Sequence, residues 1–153
     1  MKKQCKRKVW KLVNPIDHAR EGACLIDKTS SDKLAIMELS ALDRFTKGAA
    51  DKEDWRQLCM MTNIAEELAS MGYGKSEILE PCAKGQAALK EAHRRFNEFG
   101  RLTFSGLEIQ HMREICEWVS FQRQCVPRGT YEKAIDKVMR LVRGKSPRVE
   151  VLL

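Results

Sequence analysis

Residues 51–74 read DKEDWRQLCMMTNIAEELASMGYG, a predicted helix with a start, a wide apolar face and a stop. Asp51 suits the N-cap, because its carboxylate accepts from the free backbone N–H groups of the first turn. Glu53 and Asp54 then place negative charge at the positive end of the helix dipole. Trp55, Leu58, Cys59, Thr62, Ala65, Leu68 and Gly72 follow helical spacing, and Met61, Ile64 and Met71 widen the stripe. Gly72 and Gly74 supply the positive-φ conformations that end helices. A face this wide needs at least two other helices to cover it.

The flanks supply them. Upstream, Ser31 or Asp32 caps a helix running to Lys47, with Gly48 as its stop and Ala35, Ile36, Leu39, Leu42 and Phe45 as its apolar face. The short connection Gly48-Ala-Ala predicts that this helix folds back against the first. Downstream, Ser76 reads as a cap, and a helix starts there or at Pro81 and runs to Phe99. Its apolar side is Ile78, Cys82, Gly85, Leu89, Ala92, Phe96 and Phe99. Pro81 is compatible only with the first turn or so. Gly85 in mid-helix costs about 1 kcal/mol against Ala, which predicts a close approach of another helix. Gly100 ends the segment.

Ser105-Gly-Leu-Glu108 is a capping box, in which Ser and Glu satisfy each other's free backbone donors. It opens a helix over 106–125 that is apolar on two sides. Leu107, Met112, Ile115, Cys116 and Val119 form one side, Trp118 and Phe121 the other. Pro127 and Gly129 break it. Thr130 then caps a last helix in which Tyr131, Ala134, Ile135, Val138, Leu141 and Val142 hold helical spacing. Near the N-terminus, residues 16–24 predict a short helix with Pro15 at its first position. Together these give an all-α, single-domain bundle of about five main helices over residues 14–147. A basic N-terminal arm (1–13) and a short extended C-terminal tail (148–153) flank it.

A chain of 153 residues is one domain by size. Its 43% apolar and 32% charged residues are those of a soluble globular protein. No apolar run approaches a membrane span, and residues 9–13 are too short and interrupted for a signal-peptide core. The expected location is therefore the cytoplasm. The six cysteines form no CxxC pair and the three histidines are scattered, so zinc spacing is absent. Buried free thiols in a reducing compartment are expected instead.

The net charge of +7 is unevenly placed. Residues 1–11 carry six basic side chains and no acidic one; residues 128–153 carry seven basic and three acidic. A mildly acidic body thus has basic ends, a pattern that speaks to partners. In the arm, Lys6, Arg7, Lys8 and Trp10 are candidate contact residues. In the last helix, Lys133, Lys137 and Arg140 recur at i, i+4 and i+7, with Arg143 beyond them, as a basic stripe opposite the apolar face. With the preceding helix and the Pro127–Gly129 turn this resembles a helix-turn-helix in outline, and a basic helix with a basic arm is a nucleic-acid footprint. A solvated outer face is the plainer reading of the same stripe.

Support for catalysis is slight. Residues 69–76, ASMGYGKS, fit a relaxed phosphate-loop pattern. That loop needs a buried strand before it, however, and here a helix precedes it. A helix C-cap followed by a new N-cap is the better account. No GxSxG, HExxH or local Cys–His pairing is present. The expectation is a non-enzymatic chain without cofactor or metal.

Several short patterns carry a resemblance. They are Phe45-x-x-Gly48, Trp55, Asn63-x-Ala65-Glu66 and Gly72-x-Gly74, the opening Lys6-Arg-Lys-Val-Trp-Lys-Leu-Val-Asn-Pro15, and Arg101-Leu-Thr-Phe-Ser-Gly106. With them the chain resembles small helical proteins encoded by phages and prophages of proteobacteria. These are capping and packing residues, so the resemblance implies fold and genetic setting and transfers no functional residue. The setting implies a binding protein that inhibits a host defence complex, as anti-CRISPR proteins do, by protein–protein contact. Its partner would be a CRISPR effector protein or complex, with RNA or DNA as a further candidate. Met60, Met61, Tyr73, Trp10 and Phe104 are the apolar residues such a contact could use. The alternative is a nucleic-acid-binding regulator that uses the basic last helix and arm.

Overall fold

The computed structural model describes residues 14–144 and holds six α-helices there: α1 (Pro15–Ala23), α2 (Lys28–Thr46), α3 (Lys52–Ser70), α4 (Lys75–Phe99), α5 (Gly106–Cys125) and α6 (Arg128–Arg143). The count is six where about five main helices were expected, the short α1 being the sixth. The basic arm and the C-terminal tail lie outside the described residues.

The 51–74 stretch organises the bundle. The Asp51 side chain accepts from the N–H groups of Glu53 and Asp54, and the Asp54 carboxylate accepts from the Asp51 N–H, a reciprocal cap. α3 then packs against α2, α4, α5 and α6. Trp55, Leu58, Cys59, Met61, Ala65 and Ala69 enter one apolar cluster with α2, α4 and α5; Ile64 and Leu68 enter a second with α6. Each large side chain buried this way contributes about 1.5–3 kcal/mol. Polar atoms on these faces are mostly satisfied: Trp55 Nε1 donates to the Leu89 carbonyl at 3.0 Å. Phe45 of α2 stacks on Phe104 of the α4–α5 connection at 4.2 Å between ring centroids.

Several local expectations need correction. α2 begins at Lys28, a turn early, because Asp27 rather than Ser31 or Asp32 caps it; the Asp27 carboxylate accepts from the Ser30 N–H at 2.9 Å. The face of α2 is rotated too. Glu38, Ala41, Leu42 and Phe45 are buried, while Ile36 and Leu39 are exposed. The run Leu34-Ala-Ile-Met-x-Leu is wide enough for two faces, and a buried ion pair at Glu38 selects between them. α4 starts at Lys75 with left-handed Gly74 at its N-cap, so Ser76 does not cap it. Pro81 therefore sits in the second turn and leaves the Glu77 carbonyl without a donor; Glu77 is exposed, so solvent can replace it. α6 starts at Arg128 with no side-chain cap, and Thr130 lies inside it. The Arg128 N–H bonds instead to the Cys24 carbonyl at 2.8 Å, beside an isolated antiparallel bridge between Leu25 and Pro127.

Gly85 is buried between α3 and α5, but a Cβ there would meet Met112, Ile115 and Thr62 atoms at an ordinary 3.6–3.7 Å. The tight approach is elsewhere: a Cβ on Gly129 of α6 would lie 3.1 Å from the backbone of Gly22 of α1. Among the described residues no helix is long and apolar enough to cross a membrane.

Candidate interaction surfaces

α6 lays Tyr131, Ala134 and Val138 on the core and turns Lys133, Lys137, Arg140 and Arg143 outward, all exposed. The predicted stripe exists, but its members differ. Lys137 is tied to α3 by an ion pair to Glu67 at 2.5 Å, so part of its charge is spent within the fold. Arg140 Nε donates to the Asp136 carbonyl at 3.3 Å. Lys133, Arg140 and Arg143 have no carboxylate partner among the described residues. Lys6, Arg7, Lys8 and Trp10 lie outside those residues, so the structure does not bring arm and stripe together.

A recognition helix of the helix-turn-helix type rests on the helix before it. Here α6 rests mainly on α3 and α1. Between α1 and α6 runs an open cleft of about 850 Å³ with mixed lining. Glu21, Glu132 and Asp136 face Arg128, Lys133 and His18 there. Arg128 pairs with Glu132 at 2.8 Å, which raises its pKa above the ordinary arginine value. A cleft with interleaved signs does not favour a phosphate backbone, which needs concentrated positive charge.

Residues 69–76 form a helix cap. The N–H groups of Met71, Gly72 and Tyr73 all donate back to carbonyls of α3, so they cannot cradle a phosphate. Gly72 and Gly74 have φ of 103° and 77°, as their place in the cap demands. Met71, expected on the apolar face, falls outside α3 and is exposed. Buried thiols are present as expected: Cys59, Cys82 and Cys116 line the core, and burial pushes Cys82 and Cys116 up to about 12. Cys24 and Cys125 are exposed. Among the described residues no group of three or more His, Cys, Asp or Glu side chains is placed to hold a metal ion.

At the heart of the molecule Arg123 of α5 is fully buried and grips Glu38 of α2 with two bonds of 2.6 and 2.7 Å. Among the described residues its Nε has no hydrogen-bond partner, and neither does the Oε1 of neighbouring Gln122. Gln122 Nε2 spans the Ala65 and Tyr73 carbonyls at 3.2 and 2.9 Å, linking α5 to the end of α3. Nothing in a one-dimensional pattern marks this pair, since Glu38 and Arg123 lie 85 positions apart.

The apolar contact candidates also need revision. Met61 and Phe104 are core, and Met60 and Tyr73 are half-buried. The large apolar side chains that solvent reaches are others; besides Ile16, Leu25, Met37, Met71 and Leu79 they include Phe99 at 72% exposure, Ile36 at 64%, Leu107 at 62%, Phe121 at 57% and Leu39 at 54%. Phe99, Leu107, Ile36, Leu39 and Phe121 were all assigned to buried faces from spacing. Phe99 is the last residue of α4 and Leu107 the second of α5. No protein-family model, curated protein sequence or solved structure is significantly similar to this chain.

Proposed function

We propose that this chain acts without catalysis, by binding another protein, and that in the setting its resemblance implies it is a phage-encoded inhibitor of a host defence complex. One observation carries the reading. The α4–α5 connection exposes Phe99, Arg101 and Leu107 within a few residues of one another. Aromatic, arginine and aliphatic side chains framed by charge are what a protein-directed contact uses. The frame includes the Arg95–Glu108 ion pair and Lys52, whose Nζ lies 5.4 Å from the Phe96 ring centroid. Phe104 of the same connection is anchored by its stacking on Phe45, and an anchored segment loses less entropy on binding.

A nucleic-acid reading is favoured by Lys133, Arg140 and Arg143 on one face of α6. Affinity for DNA or RNA would then fall steeply with salt and depend on those three. Pull-down from host lysate, with and without nuclease and read by mass spectrometry, separates the two. A specific protein retained after nuclease, and lost with Phe99→Glu or Leu107→Glu, supports the protein-directed reading. Loss of every partner on nuclease treatment contradicts it.

A further inference from the structure

The α4–α5 end of the bundle sets two cations around an aromatic step, and neither cation has a carboxylate of its own. Phe96 and Phe99 stand three positions apart in the last turn of α4 and so share a face. Phe99 is exposed and Phe96 half-buried. The isolated antiparallel bridge between Ala50 and Leu102 lays the α2–α3 connection beside the α4–α5 connection. Across it Lys52 and Arg101 fall one position out of register, and both are exposed. The Lys52 ammonium sits over the Phe96 ring. Neither Lys52 nor Arg101 forms an ion pair among the described residues. The carboxylates around them are engaged within the fold. Asp51 accepts from the Glu53 and Asp54 N–H groups, Glu98 pairs with Arg94, and Glu108 pairs with Arg95. Carboxylates without such a partner lie away from this step: Glu114 is about two turns along α5 from Leu107, and Glu77 is at the other end of α4. The apolar step thus carries a local excess of positive charge on a mildly acidic body.

We infer that the protein partner of this surface presents an acidic segment with an apolar anchor. An aliphatic or aromatic side chain lies on Phe96 and Phe99, and carboxylates beside it meet Lys52 and Arg101. The inference rests on the protein-directed reading above and names the chemistry of its partner. Arg101 takes a carboxylate through two parallel N–H bonds, whereas Lys52 acts as a point charge. The anchor supplies affinity, and the charges supply encounter rate and register. A nucleic-acid backbone fits less well, because two free cations beside Glu98 and Glu108 are not the concentrated positive charge that it needs.

A random dodecapeptide library displayed on yeast, selected on the immobilised full chain, tests the inference. Selected peptides should be enriched in Asp and Glu next to Phe, Leu or Ile. Fluorescence anisotropy with a synthetic copy of the leading peptide should show at least about tenfold weaker binding to Lys52→Glu/Arg101→Glu. Binding should also be lost with Phe99→Glu and should weaken as salt is raised. These positions are exposed, so circular dichroism should be unchanged. Peptides that depend on Phe99 but carry no acidic enrichment, or that bind the charge-reversed variant equally well, overturn the acidic partner and leave the protein-directed reading standing. A selection with no Phe99-dependent peptide overturns the inference as well, and the nuclease-treated pull-down then decides the reading by itself. Tighter binding of a single-stranded RNA oligonucleotide than of the leading peptide, through Lys52 and Arg101, also overturns it.

Discussion

Arg123 is fully buried with a carboxylate as its companion, and a charge so placed matters most when its partner is lost. Removing one member of a buried pair costs about 3–5 kcal/mol, whereas replacing both by apolar residues of similar volume is often close to neutral. Arg123→Met alone and Glu38→Leu alone should each lower unfolding stability by that order, and the double variant by much less. Urea denaturation at neutral pH measures all three; a double variant as unstable as either single one would show that the pair is not what fixes α2 on α5. Asp54 makes a second prediction. The Arg44 guanidinium holds its carboxyl below the ordinary value of 3.8, with the Asp51 N–H helping. A folded pKa below the unfolded one means stability that is fully present above about pH 4 and lost as pH falls through the lowered value. Acid unfolding should therefore be shallower over that range in Asp54→Asn, which starts less stable at neutral pH by about 1–2 kcal/mol.

Glycine choices distinguish two helix contacts. Gly85 has ordinary room for a methyl group, so Gly85→Ala should stabilise the protein by about 0.5–1 kcal/mol through helix propensity. Gly129→Ala should destabilise it, because the added carbon would press on the Gly22 backbone and part α1 from α6. Thermal melts of both decide; the reverse order of effects would mean that α1 does not rest on α6 as described. These contacts also show what sequence conveys. Caps were legible where side chain and backbone lie three residues apart, as at Asp51 and Ser105. The starts of α4 and α6 were not, because backbone geometry rather than a side chain opens them. The side of α2 that is buried was not legible either, since it is set by Arg123 on a distant helix.

The whole molecule is unevenly held. α3 is flanked by four helices, whereas α1 buries no residue and, among the described helices, leans mainly on α6. Amide hydrogen exchange should reach its slowest rates in α3, near the global unfolding limit, and be orders of magnitude faster in α1. Equal protection in both would contradict this hierarchy. Surface residues were the least legible in the sequence: the basic stripe on α6 could be read from spacing, but Phe99, Leu107, Ile36 and Leu39 keep helical spacing and are nonetheless exposed, since spacing marks an apolar face without saying whether another helix covers it. The most direct test of a protein-directed role is to repeat the nuclease-treated pull-down with three forms of the chain. A partner should be retained by the wild type and by Lys133→Glu/Arg140→Glu, and lost by Phe99→Glu/Leu107→Glu. Loss with the α6 variant and retention with the Phe99/Leu107 variant would contradict it and assign the function to the basic stripe.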